Sequence, residues 1–272
     1  MPTTQVNDTT IYYETTGRGR PVVLSHGFAC GLRMWDPQVA ALADRYRVVT
    51  YDARGHGASA TPEEISAYSI GAVVEDLRQL MVQLGVQGAC LGGLSMGGRV
   101  ALEFALAHAD LLAGLIVADA GGGSDDTERY RARAEERVSV LETGGIEAGA
   151  DLLMAEPIFG TLAAQGPEAA RLVRSLLTTH RAHGLVGTLR GIQAARSSIY
   201  DLEGALRALR LPTLVIVGAR DEACLDPSRF LADTIPGAKL AIIKGVGHMS
   251  NLEDPTTFNA VVSEFLAGLW RE

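Results

Sequence analysis

The chain alternates short, almost continuously apolar runs with longer stretches in which apolar residues return every three or four positions. The runs "PVVLSHG", "RVVTYDARG", "GACLGGLS" and "AGLIVADAG" are too uniformly apolar for strands with one wet face, so they predict central strands covered on both sides. Between them, "WDPQVAALAD", "SIGAVVEDLRQLMVQLG" and "GRVALEFALAHA" carry the helical period. "TTIYYET" adds an early strand suited to an antiparallel edge, and "LPTLVIVGARD" and "AKLAIIKGVGH" bring the apolar runs back near the C-terminus. Alternation of this kind predicts an α/β fold with a mostly parallel central sheet flanked by helices.

One stretch breaks the rhythm. From Gly121 to about Tyr200 there is no strand-like run, only helical segments such as "TERYRARAEERVSVLETG", "GPEAARLVRSLLTTHRAHG" and "VGTLRGIQAARSSIY". The pattern predicts a core domain made of residues 1–120 and 201–272, with residues 121–200 inserted between two strands as a helical cap. The insertion's arginines are matched by acids, as solvated helix faces require, and its apolar residues suit a lid over a site.

Composition narrows the partners. With 272 residues, 47% of them hydrophobic, the chain can bury one large core. The formal charge is −8, and nowhere do lysine and arginine gather without interleaved acids, which argues against nucleic acid or an anionic membrane as partner. The N-terminus shows no basic-then-apolar leader, and no apolar run approaches about 18 residues, so a soluble cytoplasmic protein is expected. Cys30, Cys90 and Cys224 are odd in number and lack the paired spacing of a zinc site, so buried reduced thiols and no metal are expected. "GRGRP" and "GGLSMGGR" are glycine-rich without dinucleotide or phosphate-loop spacing, so no cofactor is expected either. A small-molecule substrate is the remaining partner, and the pattern sets no oligomeric state.

The chemistry sits at "GGLSMGG", where four glycines in seven positions surround one serine. Each glycine inside a regular element costs roughly 0.5–1 kcal/mol relative to alanine, so the cluster needs a local cause. "GLSMG" matches G-x-S-x-G, in which the serine occupies a sharp strand-to-helix turn and the glycines avoid the neighbouring backbone. Ser95 is therefore the expected nucleophile. Its base is expected at His248, at a strand end in "GVGHMSNLEDP". His26 and His56 sit in "SHGF" and "RGHG" and suit turn-fixing roles; His108, His180 and His183 fall in helical stretches, at the surface or in packing. Two carboxylates could orient His248, Asp221 after "LPTLVIVGAR" and Asp119 after "LIVA"; both satisfy the serine–acid–histidine order, and Asp221 is favoured because it lies in a polar loop with Glu222 and Asp226. Asp52 is expected to tie its turn to Arg54. For the oxyanion, one donor is expected at the backbone N–H of Met96 and a second at Phe28, with Ala29 as the near alternative.

Taken together, "SHGF", "YDARGHGAS", "GLSMGG", "VGARD" and "GHMSNLEDP" make the chain resemble α/β-hydrolase fold proteins over essentially its full length. Within that superfamily, "MWDPQVAALADRYRVVTYDARGHGAS" and "GHMSNLEDP" are most similar to 3-oxoadipate enol-lactonases and related small-molecule esterases. The resemblance implies hydrolysis of an ester or lactone without a cofactor. Haloalkane dehalogenases and epoxide hydrolases share the fold but use an aspartate where this chain has Ser95. Carbon–carbon hydrolases of vinylogous diketones usually show asparagine before the serine and tryptophan after the histidine, where this chain has Leu94 and Met249. A hydrolase-fold signalling receptor or regulator, which keeps the triad while its output is a partner interaction, is the other alternative.

Overall fold

A computed structural model describes residues 2–270; the outermost ends of the expected core segments, residue 1 and residues 271–272, lie outside it. Eight strands, β1 (Thr3–Val6), β2 (Thr9–Thr16), β3 (Arg20–Ser25), β4 (Tyr46–Tyr51), β5 (Ala89–Leu94), β6 (Leu112–Ala118), β7 (Thr213–Gly218) and β8 (Lys239–Ile243), form one sheet in the order β1-β2-β4-β3-β5-β6-β7-β8. β1 pairs antiparallel with β2, and β2 antiparallel with β4; every other neighbour is parallel. The apolar runs thus occupy the middle, as their composition requires. β1 has no counterpart in the hydrophobic pattern, because "TTQV" carries a single apolar residue and is fixed by pairing rather than by burial.

Alternation along the central strands explains the two apolar layers. Val22, Leu24, Cys90, Ile116 and Ile216 point to one face, where Trp35, Phe258 and Leu266 cover them. Val23, Leu91, Leu115, Val117 and Val215 point to the other, against Leu77, Val100, Phe104 and Leu231. The covering helices are α1 (Asp36–Leu42) and α11 (Pro255–Leu269) on the first face, and α2 (Ile70–Gln83), α3 (Met96–His108) and α9 (Glu222–Thr234) on the second. β8 departs from the buried pattern expected of it: as an edge strand it leaves Leu240 and Ile242 exposed. No helix among the described residues is long and apolar enough to cross a membrane.

Between β6 and β7 the chain forms α4 (Thr127–Ala155), α5 (Pro157–Ala163), α6 (Pro167–Thr178), α7 (Ala182–Thr188) and α8 (Glu203–Ala208). The helical run therefore continues past Tyr200. Gly145, at φ 69°, breaks α4 where "ETGG" interrupts the helical period. Val138, Leu153, Phe159 and Leu177 of these helices join the same apolar cluster as Phe28, Met96 and Met249 of the sheet's carboxyl edge. Polar ties fasten the insertion at its margins: Arg99 of α3 donates to the Ser197 carbonyl, Gln165 to the Glu253 carbonyl, and the His183 ring lies 2.7 Å from the Glu63 carbonyl.

Candidate active site

The turn between β5 and α3 carries Ser95 at φ 57°, ψ −113°, a backbone geometry that costs a non-glycine residue of order 1–3 kcal/mol and persists only where the surroundings enforce it. They enforce it here through close approach. A Cβ at Gly93 would run into the Gly97 backbone, and one at Gly97 into the carbonyls of Ser25 and His26, so strand and helix can touch only with glycine at both positions. Within residues 91–100, Ser95 alone is not buried.

Three strand ends converge on that hydroxyl. His248 follows β8 and holds Nε2 at 2.8 Å from Ser95 Oγ, while its Nδ1 lies 2.7 Å from Asp221 Oδ2. Asp221 is the residue preceding α9, so the polar loop expected around it is the first turn of a helix that also contains Glu222 and Asp226. Pro227 inside that helix, in "LDPS", is what makes the stretch resemble a loop. Burial of the His248 ring opposes its charge, but the Asp221 carboxylate, with Asp119 and Glu253 behind it, outweighs burial and raises its pKa.

Asp119, the other candidate acid, is fully buried and has no hydrogen bond to the histidine; its oxygens accept the Gly218 N–H at 2.8 Å and the Ser250 hydroxyl. Burial, then the neighbouring Asp221 charge, pushes its carboxyl upward. Asp119 ties together the two loops that carry Asp221 and His248.

The loop after β3 separates the two candidate oxyanion donors. The Ala29 amide is engaged, donating to His56 Nε2 at 3.3 Å, whereas neither the Phe28 nor the Met96 amide has an acceptor among the described residues. Ala29 itself is held at φ 57°. His26 accepts the Ala53 N–H at 2.9 Å, so both turn-fixing histidines do what their positions suggested. His180 does more than pack: it lies just past α6, accepts the Gly57 N–H at 2.8 Å and stacks edge-on to His56, giving a column of buried rings His26–His56–His180 with centroids 4.8 and 5.3 Å apart. The expected tie between Asp52 and Arg54 is absent from the fold. Asp52 accepts the Leu32 and Ala58 amides, and Arg54 instead forms a two-pronged pair with Asp76 and reaches Asp8, because its side chain points to the opposite side of the turn.

The sequence matches the alpha/beta hydrolase family over residues 22–261. The chain belongs to that family. It is 31% identical over 265 residues to a putative carbamate hydrolase RutD of Rhizobium rhizogenes, covering 94% of this chain and 97% of the relative. Among solved structures it is similar to the enol-lactonase from Burkholderia xenovorans LB400, with a TM-score of 0.83, 28% identity and coverage of 98% of this chain and 100% of that one. It is likewise similar to a thermophilic esterase from Thermogutta terrifontis, with a TM-score of 0.88, 28% identity and full coverage of both chains.

This alpha/beta hydrolase also brings Cys224 to the site, which spacing could not foretell. Its Sγ lies 3.9 Å from His248 Nδ1, and thiol, ring nitrogen and Asp221 carboxylate fall within 4.8 Å of one another. The imidazole and carboxylate are engaged with each other, and burial, then the nearby acids, pushes the thiol well above its ordinary range, so the sulfur remains a protonated packing group. Cys30 and Cys90 are buried free thiols, as expected.

Proposed function

We propose that this hydrolase cleaves small carboxylic esters or lactones through an acyl-enzyme on Ser95. The observation that supports it most is the continuous line Asp221–His248–Ser95 at 2.7 and 2.8 Å, ending beside two amides without acceptors. His248 takes the Ser95 proton as Oγ attacks the acyl carbon; the Met96 and Phe28 amides stabilise the resulting oxyanion; the same proton then passes to the departing alkoxide. Water, activated by neutral His248, attacks the acyl-enzyme and releases acid and free serine. Asp221 holds the ring and balances its transient charge.

The relatives fit this class, since a carbamate and an enol-lactone both offer an acyl carbon to a nucleophile. Residues 121–200 act in this reading as a cap domain over a core of residues 1–120 and 201–272, enclosing a small substrate. Leu94 and Met249 weigh against the carbon–carbon hydrolase alternative.

The test uses a p-nitrophenyl acylate, a lactone panel and a fluorophosphonate probe. The expected result is probe mass on the Ser95 peptide and turnover that persists in chelator but disappears in Ser95→Ala. Equal slow cleavage by wild type and Ser95→Ala, with rapid turnover of a vinylogous diketone or capture of a partner protein, would replace the ester reading.

A further inference from the structure

Resting on that reading of the serine site, we propose that Glu253 is a positioning residue for the base, its carboxylate clasping the backbone on both sides of His248. Glu253 Oε2 accepts the Gly247 N–H at 2.7 Å, and Oε1 accepts the Met249 N–H at 3.1 Å. The residue ends α10 (Ser250–Glu253), a single turn whose Leu252 and Glu253 amides both return to the Met249 carbonyl at 2.8 Å. The side chain and the backbone thus close the same small loop from opposite sides.

The chemistry of the donors selects a carboxylate. A buried charge is costly unless hydrogen bonds satisfy it, and both Glu253 oxygens are satisfied by amides that have no other acceptor among the described residues. Two converging N–H donors need two acceptors. A glutamine of the same shape offers one acceptor and one donor, so one amide would face an N–H group instead. The neighbouring segment is already closely packed, since a Cβ at Gly247 would meet Thr161 of α5 and one at Gly218 would meet the Gly247 carbonyl. With the backbone held at 247 and 249, the imidazole has little freedom other than to lie between Asp221 and Ser95. Glu253 also places a negative charge near the ring, alongside the Asp221 carboxylate, with the buried Asp119 carboxyl, the Cys224 thiol and the Ser95 hydroxyl as the ring's other neighbours.

The experiment compares full-length wild type with Glu253→Gln and Glu253→Asp on a p-nitrophenyl acylate, recording kcat, KM, the pH profile and the thermal midpoint, with Ser95→Ala and His248→Ala as references. Displacement of a reacting group by about 1 Å can cost on the order of 100-fold, so both variants should lose roughly 10- to 100-fold in kcat with KM little changed. Glu253→Gln should also move the acid limb of the profile to lower pH, because it removes a charge that favours the imidazolium. Glu253→Asp keeps the charge but cannot span both amides, so it should lower kcat and leave the limb in place. Wild-type kcat in both variants overturns the proposal, as does a loss of activity no larger than the loss of folded protein. Wild-type turnover in Ser95→Ala and His248→Ala removes the underlying serine reading instead, whatever Glu253 does.

Discussion

His248 Nε2 and Ser95 Oγ lie 2.8 Å apart although 153 positions separate them in the chain. That contact joins the β5–α3 turn to the segment after β8, and it is completed by Asp221 from the end of β7. Replacing Asp221 by asparagine leaves the shape intact but offers the wrong group to Nδ1–H. We expect kcat to fall by up to about 10⁴ in Asp221→Asn. Asp119→Asn, which touches Gly218 and Ser250 and not the ring, should stay within about tenfold of wild type. Steady-state kinetics on one activated ester decides it, and the reverse ranking moves the orienting role to Asp119.

What the sequence exposes and what it hides have different physical causes. The strand interiors are legible because burial on both faces demands apolar side chains at every position, and the β5–α3 turn because close backbone approach demands glycine at 93 and 97. α11 escapes the pattern although Asp254 caps it and Pro255 opens it, since its first residues run on from the histidine loop without a break in composition. The partners of Asp52 and Arg54 are not legible, because neighbours in sequence on a tight turn point to opposite sides. His180 and Glu253 act on backbone amides, and nothing in their spacing reveals which amide a distant chain segment will bring.

The proposed base predicts an acid limb on activity. In the proposed mechanism only neutral His248 accepts the serine proton, and its pKa is raised, so activity should begin to fall above the ordinary histidine value of about 6.5 and be lost as pH drops further. In Asp221→Asn the largest raising influence is gone and burial dominates, so the limb should shift to lower pH even as kcat falls. A pH profile of kcat/KM for both proteins reads the two limbs; a limb that does not move shows that the carboxylate does not face the titrating group.

Asp119 contributes a stability effect of known sign. Its folded carboxyl is pushed up to about 8, whereas an unfolded aspartate titrates near 3.9, so the unfolded chain releases a proton over that interval that the folded protein keeps. Stability drawn from this group is present at low pH and lost as pH rises toward about 8. In an Asp119→Asn variant the side-chain amide would reproduce the neutral acid in shape, and it carries no charge at any pH. Urea unfolding at pH 5 and pH 9 should therefore show the variant gaining on wild type at the higher pH, and an equal difference at both refutes the assignment.

The glycines of the β5–α3 turn can be separated from harmless ones. Gly97→Ala forces a methyl into backbone carbonyls that cannot rotate away, so we expect a loss of about 1–3 kcal/mol or more, together with loss of fluorophosphonate labelling. Gly71 in α2 has open space around the same position, and Gly71→Ala should instead stabilise by up to about 1 kcal/mol. Chemical denaturation of the two variants gives opposite signs if the close approach at residue 97 is what the glycine serves.

The histidine column makes the fold acid-sensitive in a defined window. Burial pushes His26 and His180 down to about 4, and burial with its two ring neighbours pushes His56 well below its ordinary value. In the unfolded chain all three take up protons near pH 6.5. Between there and about 4 the unfolded state binds more protons at these three rings, so their contribution to stability is complete above 6.5 and falls as pH drops through that interval. Other groups share or flank it: Asp119, and Asp52 and Asp76 raised by burial, act with the opposite sign from about 3.9 upward. Glu75, held down to about 2 by Arg78, matters mainly below it, and the raised His248 matters above 6.5, so the column's part is read from the difference between wild type and a histidine variant that keeps all of them. His180→Gln keeps an acceptor for the Gly57 amide and removes one titrating ring. The slope of unfolding free energy against pH near 5.5 should then lessen by up to about 1.4 kcal/mol per pH unit, the value for one proton. Because His180 comes from the helical insertion and His56 holds the Ala29 amide beside Phe28, the same acid interval should loosen the contact between the insertion and the loop after β3. Hydrogen exchange at residues 27–30 and 176–184 checks this: protection lost jointly as pH falls in wild type, and less in His180→Gln, is the expected result, and independent loss at the two segments overturns it.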